Sequence, residues 1–159
     1  MSHANGPYRL TLDRLIDAPP EQVYRAWTDP ELLCQWFTPR PWTVTAAELD
    51  VRPGGSSLVV MRSPDGQEFP NRGVYLEVQP GRRLVFTDAY TEAWLPSAKP
   101  FMTVTLEFQP RDGKTHYHAE VLHWTEADLR EHEAMGFASG WGQATDQLAA
   151  LLGRLRAGA

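Results

Sequence analysis

The sequence is poor in cysteine and in clustered positive charge, and each shortage excludes a class of protein. Cys34 is its one cysteine, so no disulfide can form within the chain. A single thiol is typical of a reducing compartment, and we therefore predict a cytoplasmic location. The 15 Lys and Arg residues stand against 20 Asp and Glu residues, which gives a formal charge of −5. Because nucleic-acid binding depends on a basic surface, we predict no nucleic-acid partner.

Long apolar stretches, repeats and low-complexity segments are also missing. No apolar run reaches the roughly 20 residues that a membrane helix requires, so we predict no membrane insertion. Residues 1–7 have neither the basic nor the apolar part of a secretion signal, and we predict a flexible N-terminal segment there. The hydrophobic content of 42% and the charged content of 22% are typical of a globular protein. We predict a single domain over 8–156.

Signals for one strand and two short helices open the chain. Alternating apolar and polar residues predict a strand over 8–16. Pro20 suits the first position of a helix, because that position needs no backbone donor. The segment Thr28-Asp29-Pro30-Glu31 matches a capping box, which predicts the start of a second helix with Thr28 as its cap.

The middle of the chain has the pattern of an antiparallel meander. Short β-rich segments alternate with turns that contain Gly, Pro and Asp. The pattern predicts six sequential strands, joined in the sheet by the N-terminal strand: 42–51, 58–62, 72–78, 82–88, 101–108 and 115–123. The longer link 89–100 contains Trp94, and we predict a flap that closes a pocket mouth or mediates dimer contact.

One amphipathic helix is predicted near the C-terminus, after Thr125. Apolar residues step by three or four from Phe137 to Leu155, which forms one continuous face. Each glycine in a helix interior costs about 1 kcal/mol, so the glycines at 136, 140 and 142 need an explanation. Close packing on the sheet, space for a cavity, a bend, and a loop before a helix that starts near Ser139 all remain open. Together these elements predict an α+β fold in which a curved sheet wraps a long helix around an apolar pocket.

Six short motifs occur in the order found in the START-like (SRPBCC) superfamily: 16–24, 28–32, 50–55, 73–78, 83–87 and 140–141. The chain resembles that superfamily, and within it the branch of activator of heat-shock-protein-90 ATPase homologue-like proteins. The resemblance implies a helix-grip fold, with a curved antiparallel sheet of about seven strands, two short helices after strand one and a long C-terminal helix over the sheet. Relatives include lipid carriers, hormone receptors and cyclases, and the family name implies a chaperone role in the stress response.

Three functions follow as hypotheses, and whether the protein is an enzyme stays open. The first is binding of a small hydrophobic or aromatic molecule between sheet and C-terminal helix, by a group of mostly apolar residues: Tyr75, Phe86, Asp88, Met102, Val104, Tyr117, Phe137 and Trp141. The second is a cyclase- or hydrolase-type enzyme that uses a pocket carboxylate from Glu48, Asp50 or Asp88. The alternative for these carboxylates is an ion pair, for example with Arg52. The third is a chaperone-interacting domain. A homodimer through an exposed edge strand is a further hypothesis.

Histidine pairs are the remaining candidates for metal chemistry. His116, His118 and Glu120 share one face of a predicted strand, and His-x-His is a metal-ligand spacing. The alternate residues Tyr117, Ala119 and Val121 look like the inward set, so we expect the histidines on a solvated outer face. His132-Glu133 lacks the second histidine of a zinc helix, because Gly136 occupies that position. We predict no metal and no cofactor.

Overall fold

The chain begins with one strand and two short helices, as the sequence predicts. The computed structural model describes residues 8–98 and 100–157, so the predicted flexible segment 1–7 lies outside the described residues. Strand β1 spans Arg9–Ile16, helix α1 spans Pro20–Thr28 and helix α2 spans Pro30–Leu33. Pro20 occupies the first helical position of α1, as expected.

The cap of α2 differs from the prediction. The Asp29 side chain, not that of Thr28, accepts a hydrogen bond from the Glu31 backbone N–H at 3.0 Å. The Thr28 hydroxyl instead donates to the Tyr24 carbonyl at 3.0 Å. Because Pro30 takes the first helical position, the residue directly before it becomes the cap, which shifts the cap by one residue.

Seven antiparallel strands form the main sheet, and two shorter strands form a separate hairpin. The strands after α2 are β2 (Thr43–Leu49), β3 (Ser56–Arg62), β4 (Glu68–Gln79), β5 (Arg83–Thr87), β6 (Tyr90–Glu92), β7 (Leu95–Pro96), β8 (Met102–Arg111) and β9 (Lys114–His123). The order in the main sheet is β1-β9-β8-β5-β4-β3-β2, which confirms the predicted meander closed by the N-terminal strand. The sheet thus has β1 and β2 as its edges.

The link after β5 folds into the small hairpin β6–β7. The Ser97 backbone N–H donates to the Ala89 carbonyl at 2.9 Å, which closes the base of the hairpin. The side chain of Trp94 is 75% exposed, and its ring packs edge-on against Tyr90 at 5.7 Å. The hairpin therefore projects an indole into solvent at the sheet end where β5 finishes and β8 begins.

Two helices, not one continuous segment, end the chain. Helix α3 spans Glu126–Ala134 and helix α4 spans Phe137–Ala157. Gly136 separates them with a φ of +89°, a conformation that residues with a Cβ rarely adopt. Gly140 and Gly142 lie inside α4, so the glycine-rich segment is neither all loop nor all helix, and α4 starts two residues before Ser139.

The core lies between the inner face of the sheet and the helices. The inward side chains of α4 that are buried include Leu148, Leu151 and Leu152. On the facing sheet, Phe108 of β8 pairs with Tyr117 of β9. Along both strands, every second side chain points into the core.

In the described ranges no helix is long and apolar enough to cross a membrane. The domain limits 8–156 stay a prediction.

Candidate functional site

A small, partly open cavity lies between the inner face of the sheet and the two short helices. Its volume is about 40 Å³. Strands β2 to β5 form its floor, and α1, α2 and the turn after α2 cover it. Its wall consists mainly of aromatic and aliphatic side chains: Trp27, Leu33, Phe37, Leu49, Ser57, Val59, Tyr75, Leu84 and Phe86. Such an apolar wall with few polar groups is typical of small-molecule sites.

Two hydroxyl groups on the wall lack a hydrogen-bond partner among the described residues. They belong to Ser57 on β3 and Tyr75 on β4, and Tyr75 is 4% exposed. Burial raises the pKa of the Tyr75 phenol, so this hydroxyl stays protonated and can donate. These two groups can orient a ligand that carries a hydrogen-bonding atom.

Aromatic rings hold the rest of the wall in place. The Trp27 ring lies 5.7 Å from Phe37 and 5.7 Å from Phe86, centroid to centroid. The Trp27 indole N–H donates to the Tyr117 hydroxyl at 3.2 Å, and the Trp36 indole N–H donates to the Ala26 carbonyl at 3.1 Å. Because the Tyr117 hydroxyl satisfies the Trp27 indole N–H, the cavity wall is apolar where the Trp27 ring faces it, and Trp36 packs behind that ring.

The eight predicted ligand-binding residues do not form one site. Tyr75 and Phe86 line the cavity described above. Val104 and Tyr117 are 1% and 0% exposed and belong to the hydrophobic core. Met102 is partly buried and packs against that core. The cavity wall contains no residue of α4, so the predicted location under the C-terminal helix does not describe this cavity. The sequence pattern shows which side chains point inward, but it does not show where the helices leave a cavity above the sheet.

Phe137 and Trp141 of α4 pack instead around a buried histidine. Their rings lie 5.0 Å and 6.5 Å from that of His132. His132 and His123 are 7% and 6% exposed, and His123 Nε2 lies 2.9 Å from His132 Nδ1. Burial, and to a lesser extent His123, lowers the pKa of His132 to about 4. Sequence reasoning missed this pair, although His123 continues the inward alternation of residues 117, 119 and 121.

Asp88, the one carboxylate among the eight predicted ligand-binding residues, has a structural role. Its Oδ1 atom accepts hydrogen bonds from the backbone N–H groups of Phe101 at 2.8 Å and Met102 at 3.0 Å. The carboxylate thus fixes the point at which the chain re-enters the sheet after the β6–β7 hairpin. It is not part of the cavity wall.

The other candidate carboxylates lie on the surface. Glu48 and Asp50 are both exposed. Asp50 pairs with Arg52, with an Nη2 to Oδ2 distance of 2.9 Å, so the ion-pair alternative is the one observed. Among the residues that line the cavity there is no carboxyl group and no imidazole.

His116 and His118 of β9 lie on the outer face of the sheet, as the alternation predicts. Asp13 on β1 accepts from His116 Nε2 at 3.0 Å and from His118 Nδ1 at 2.7 Å. These contacts, the bond from His118 first, lower the pKa of Asp13. Glu120 pairs with Arg9 at 3.4 Å. Within 8–98 and 100–157 no three His, Cys, Asp or Glu side chains are placed to hold a metal ion.

A larger groove lies on the outside of the molecule. It has a volume of about 650 Å³ and runs between α1 and the β4–β5 turn, next to Tyr24. Its wall mixes charged and apolar groups, including Glu21, Arg82 and Glu107, and it is open to solvent. We place the candidate site in the smaller cavity because its apolar wall, not the size of the groove, suits a hydrophobic ligand.

Comparison with known proteins gives a family model and several solved structures. The model described as Activator of Hsp90 ATPase homolog 1-like protein matches residues 17–153. A Nitrosomonas europaea protein is 40% identical, with 94% of this chain and 96% of that chain covered and a TM-score of 0.91. Proteins of Chromobacterium violaceum and Mycobacterium smegmatis are 33% and 25% identical, with TM-scores of 0.75 and 0.79. Their alignments cover 92% and 95% of this chain, and 97% and 94% of theirs. No curated protein matches this chain.

Proposed function

Because the chain belongs to the Activator of Hsp90 ATPase homolog 1-like family, whose START-like helix-grip fold commonly binds ligands, we propose that it binds a small hydrophobic or aromatic molecule inside the domain. The observation that carries the proposal is the apolar cavity with two unpaired hydroxyls. The ligand packs on Trp27 and Phe86, and its polar atom bonds to Tyr75. The physiological ligand has one or few polar groups.

The size of the cavity bears on how a ligand enters. A volume of about 40 Å³ holds only a few atoms, whereas sites for drug-sized molecules span roughly 300–1,000 Å³. Binding therefore requires the wall to move outward. The turn after α2, which carries Phe37, is the part of the cover that is outside regular secondary structure.

Binding fits this cavity better than catalysis or chaperone contact. A cyclase or hydrolase needs a carboxylate or histidine beside the substrate, and the cavity wall has neither. The cytoplasmic location, the homodimer and the role in the stress response stay predictions.

Titration with 2-naphthol tests the proposal, because this probe has one hydroxyl on an apolar ring system. We expect saturable binding by calorimetry and chemical shift changes at the Trp27 indole N–H. Tyr75→Phe removes one hydrogen bond of about 0.5–1.5 kcal/mol, which weakens binding about 2- to 13-fold. Tyr90→Phe, in the β6–β7 hairpin and outside the cavity wall, is the matched control and leaves the affinity unchanged.

Two results would refute the proposed site. One is the absence of saturable binding for 2-naphthol and for a wider apolar set. The other is equal weakening by the Tyr75 and Tyr90 variants. Native mass spectrometry of the protein from its own host then identifies any molecule that it retains.

A further inference from the structure

Helix α3 is held to the domain by one buried side chain. Of its nine residues, all within the described part, His132 alone is buried. The helix has acidic residues on its exposed surface and one ion pair, between Glu126 and Arg130, that lies along the helix itself. An exposed pair of this kind contributes little to docking. Asp128 and Leu129 are partly buried, so His132 makes the most deeply buried contact of α3 with the rest of the domain, and we expect that contact to contribute most to docking.

A chain of hydrogen bonds sets the protons on both histidines. His123 Nδ1 lies 2.9 Å from the Phe101 carbonyl, which can only accept, so this nitrogen carries the proton. In a neutral imidazole the other nitrogen is then an acceptor. His132 Nδ1, 2.9 Å from His123 Nε2, must be the donor in the second bond. This bond therefore requires an unprotonated Nε2 on His123, whereas His132 donates from Nδ1 whether it is neutral or protonated.

The environment of the pair gives no compensation for a positive charge. Facing His132, β9 presents His123, the segment before β8 presents Phe101, and α4 presents Phe137 and Trp141. The Asp88 carboxylate reaches this network only through the Phe101 backbone N–H, from which it accepts a hydrogen bond. A proton on His132 would therefore be buried among aromatic rings beside a second imidazole.

Both ends of α3 allow it to move as a unit. At its start, the Thr125 side chain caps the helix by accepting from the Asp128 backbone N–H at 3.1 Å. At its end, Gly136 has a φ of +89° and separates α3 from α4. A helix with its own cap and a glycine hinge can leave the sheet without losing its internal hydrogen bonds.

We propose that α3 is a hinged lid, latched over the Phe137 and Trp141 side of α4 by the His123–His132 hydrogen bond, and that acidification releases it. Released α3 uncovers the aromatic rings of Phe137 and Trp141 at the start of α4, and this switch is independent of the proposed function.

The direction of the pH effect follows from proton linkage. Docked His132 has a pKa of about 4, and undocked His132 has an ordinary value of 6.5. Docking is thus fully favoured above pH 6.5 and weakens as the pH falls towards 4. Between pH 7.5 and pH 5.0 this linkage raises the population of open lid about 30-fold.

Amide hydrogen exchange, corrected for the intrinsic pH dependence, measures the latch in the intact protein. In the wild type we expect the protection of α3 to fall about 30-fold from pH 7.5 to pH 5.0, while β8 and β9 keep theirs. His132→Asn keeps a donor near the Nδ1 position but cannot titrate, so the protection of its α3 should fall less with acidification than in the wild type. His118→Asn, on the outer face, is the matched control and behaves as the wild type.

Three results decide the matter without relying on the variant alone. Unchanged α3 protection in the wild type overturns the latch, and so does an equal fall in His132→Asn. Ring ¹⁵N spectra that place the His123 proton on Nε2 also overturn it.

Discussion

Filling the cavity at Ser57 tests whether the space beside Tyr75 is kept open at a cost in stability. Empty apolar volume costs roughly 24 cal/mol per Å³, so a cavity of about 40 Å³ costs about 1 kcal/mol. Ser57→Val places a methyl group in this space and removes a hydroxyl that has no partner among the described residues. We expect the free energy of unfolding to rise by about 1 kcal/mol.

Urea denaturation gives the stability change, and calorimetry gives the effect on the ligand. For a chain of this size, 1 kcal/mol corresponds to an increase of about 2–4 °C in Tm. The valine also occupies the space that the probe needs, and overpacking costs about 1–3 kcal/mol. Binding of 2-naphthol should therefore weaken about tenfold or more. Stability and affinity thus move in opposite directions.

Ser56→Val is the control, because Ser56 is the neighbouring residue on the same strand and is exposed. Both substitutions raise the strand propensity equally, so their difference isolates the cavity. The control should change stability by less than about 0.5 kcal/mol and leave binding intact. Equal effects of the two variants, or destabilisation by Ser57→Val, would refute the reasoning.

Two further predictions concern the core and the last helices. Tyr117→Phe leaves the Trp27 indole N–H buried without a partner, so urea unfolding should show a loss of about 1–3 kcal/mol. A loss below about 0.5 kcal/mol would contradict the importance of this bond. Gly136→Ala should cost more than about 1 kcal/mol because φ is +89°. Gly142→Ala should be neutral or stabilising by up to about 1 kcal/mol, since the added Cβ meets only the flexible end of Arg14. Equal effects at the two glycines would argue against a hinge.

Local patterns predicted the elements because their causes are local. The Asp112-Gly113 turn joins β8 and β9 with both residues at positive φ, as an Asp-Gly hairpin requires. Proline at the first turn of α1 likewise acts within a few residues. The cap of α2 was displaced by one residue because two local signals, Thr28 in a capping box and Pro30, compete for the same helix start.

The candidate site was predicted less well, because it depends on distances between elements. Alternation identified Tyr75 and Phe86 as inward, and both line the cavity. It also identified Tyr117 as inward, yet that residue lies where α1 packs closely and no space remains. No sequence pattern shows how far a helix stands from a sheet.

Asp88 illustrates the same limit for polar groups. The sequence shows that Asp88 lies at the end of the strand that contains Phe86. Its role, however, depends on hydrogen bonds from the backbone of Phe101 and Met102, which follow the β6–β7 hairpin in the chain. The His123–His132 pair joins a strand end to a helix in the same way.

By itself the sequence determined the order of strands and helices, the face of each that turns inward, and the family, because periodicity, turn chemistry and ordered motifs act over short spans. The tertiary structure alone decided where space was left beneath α1 and α2, which carboxylate became a backbone anchor, and which two histidines met. Those outcomes depend on how residues far apart in the chain pack together, and packing depends on the shapes of all the surfaces at once.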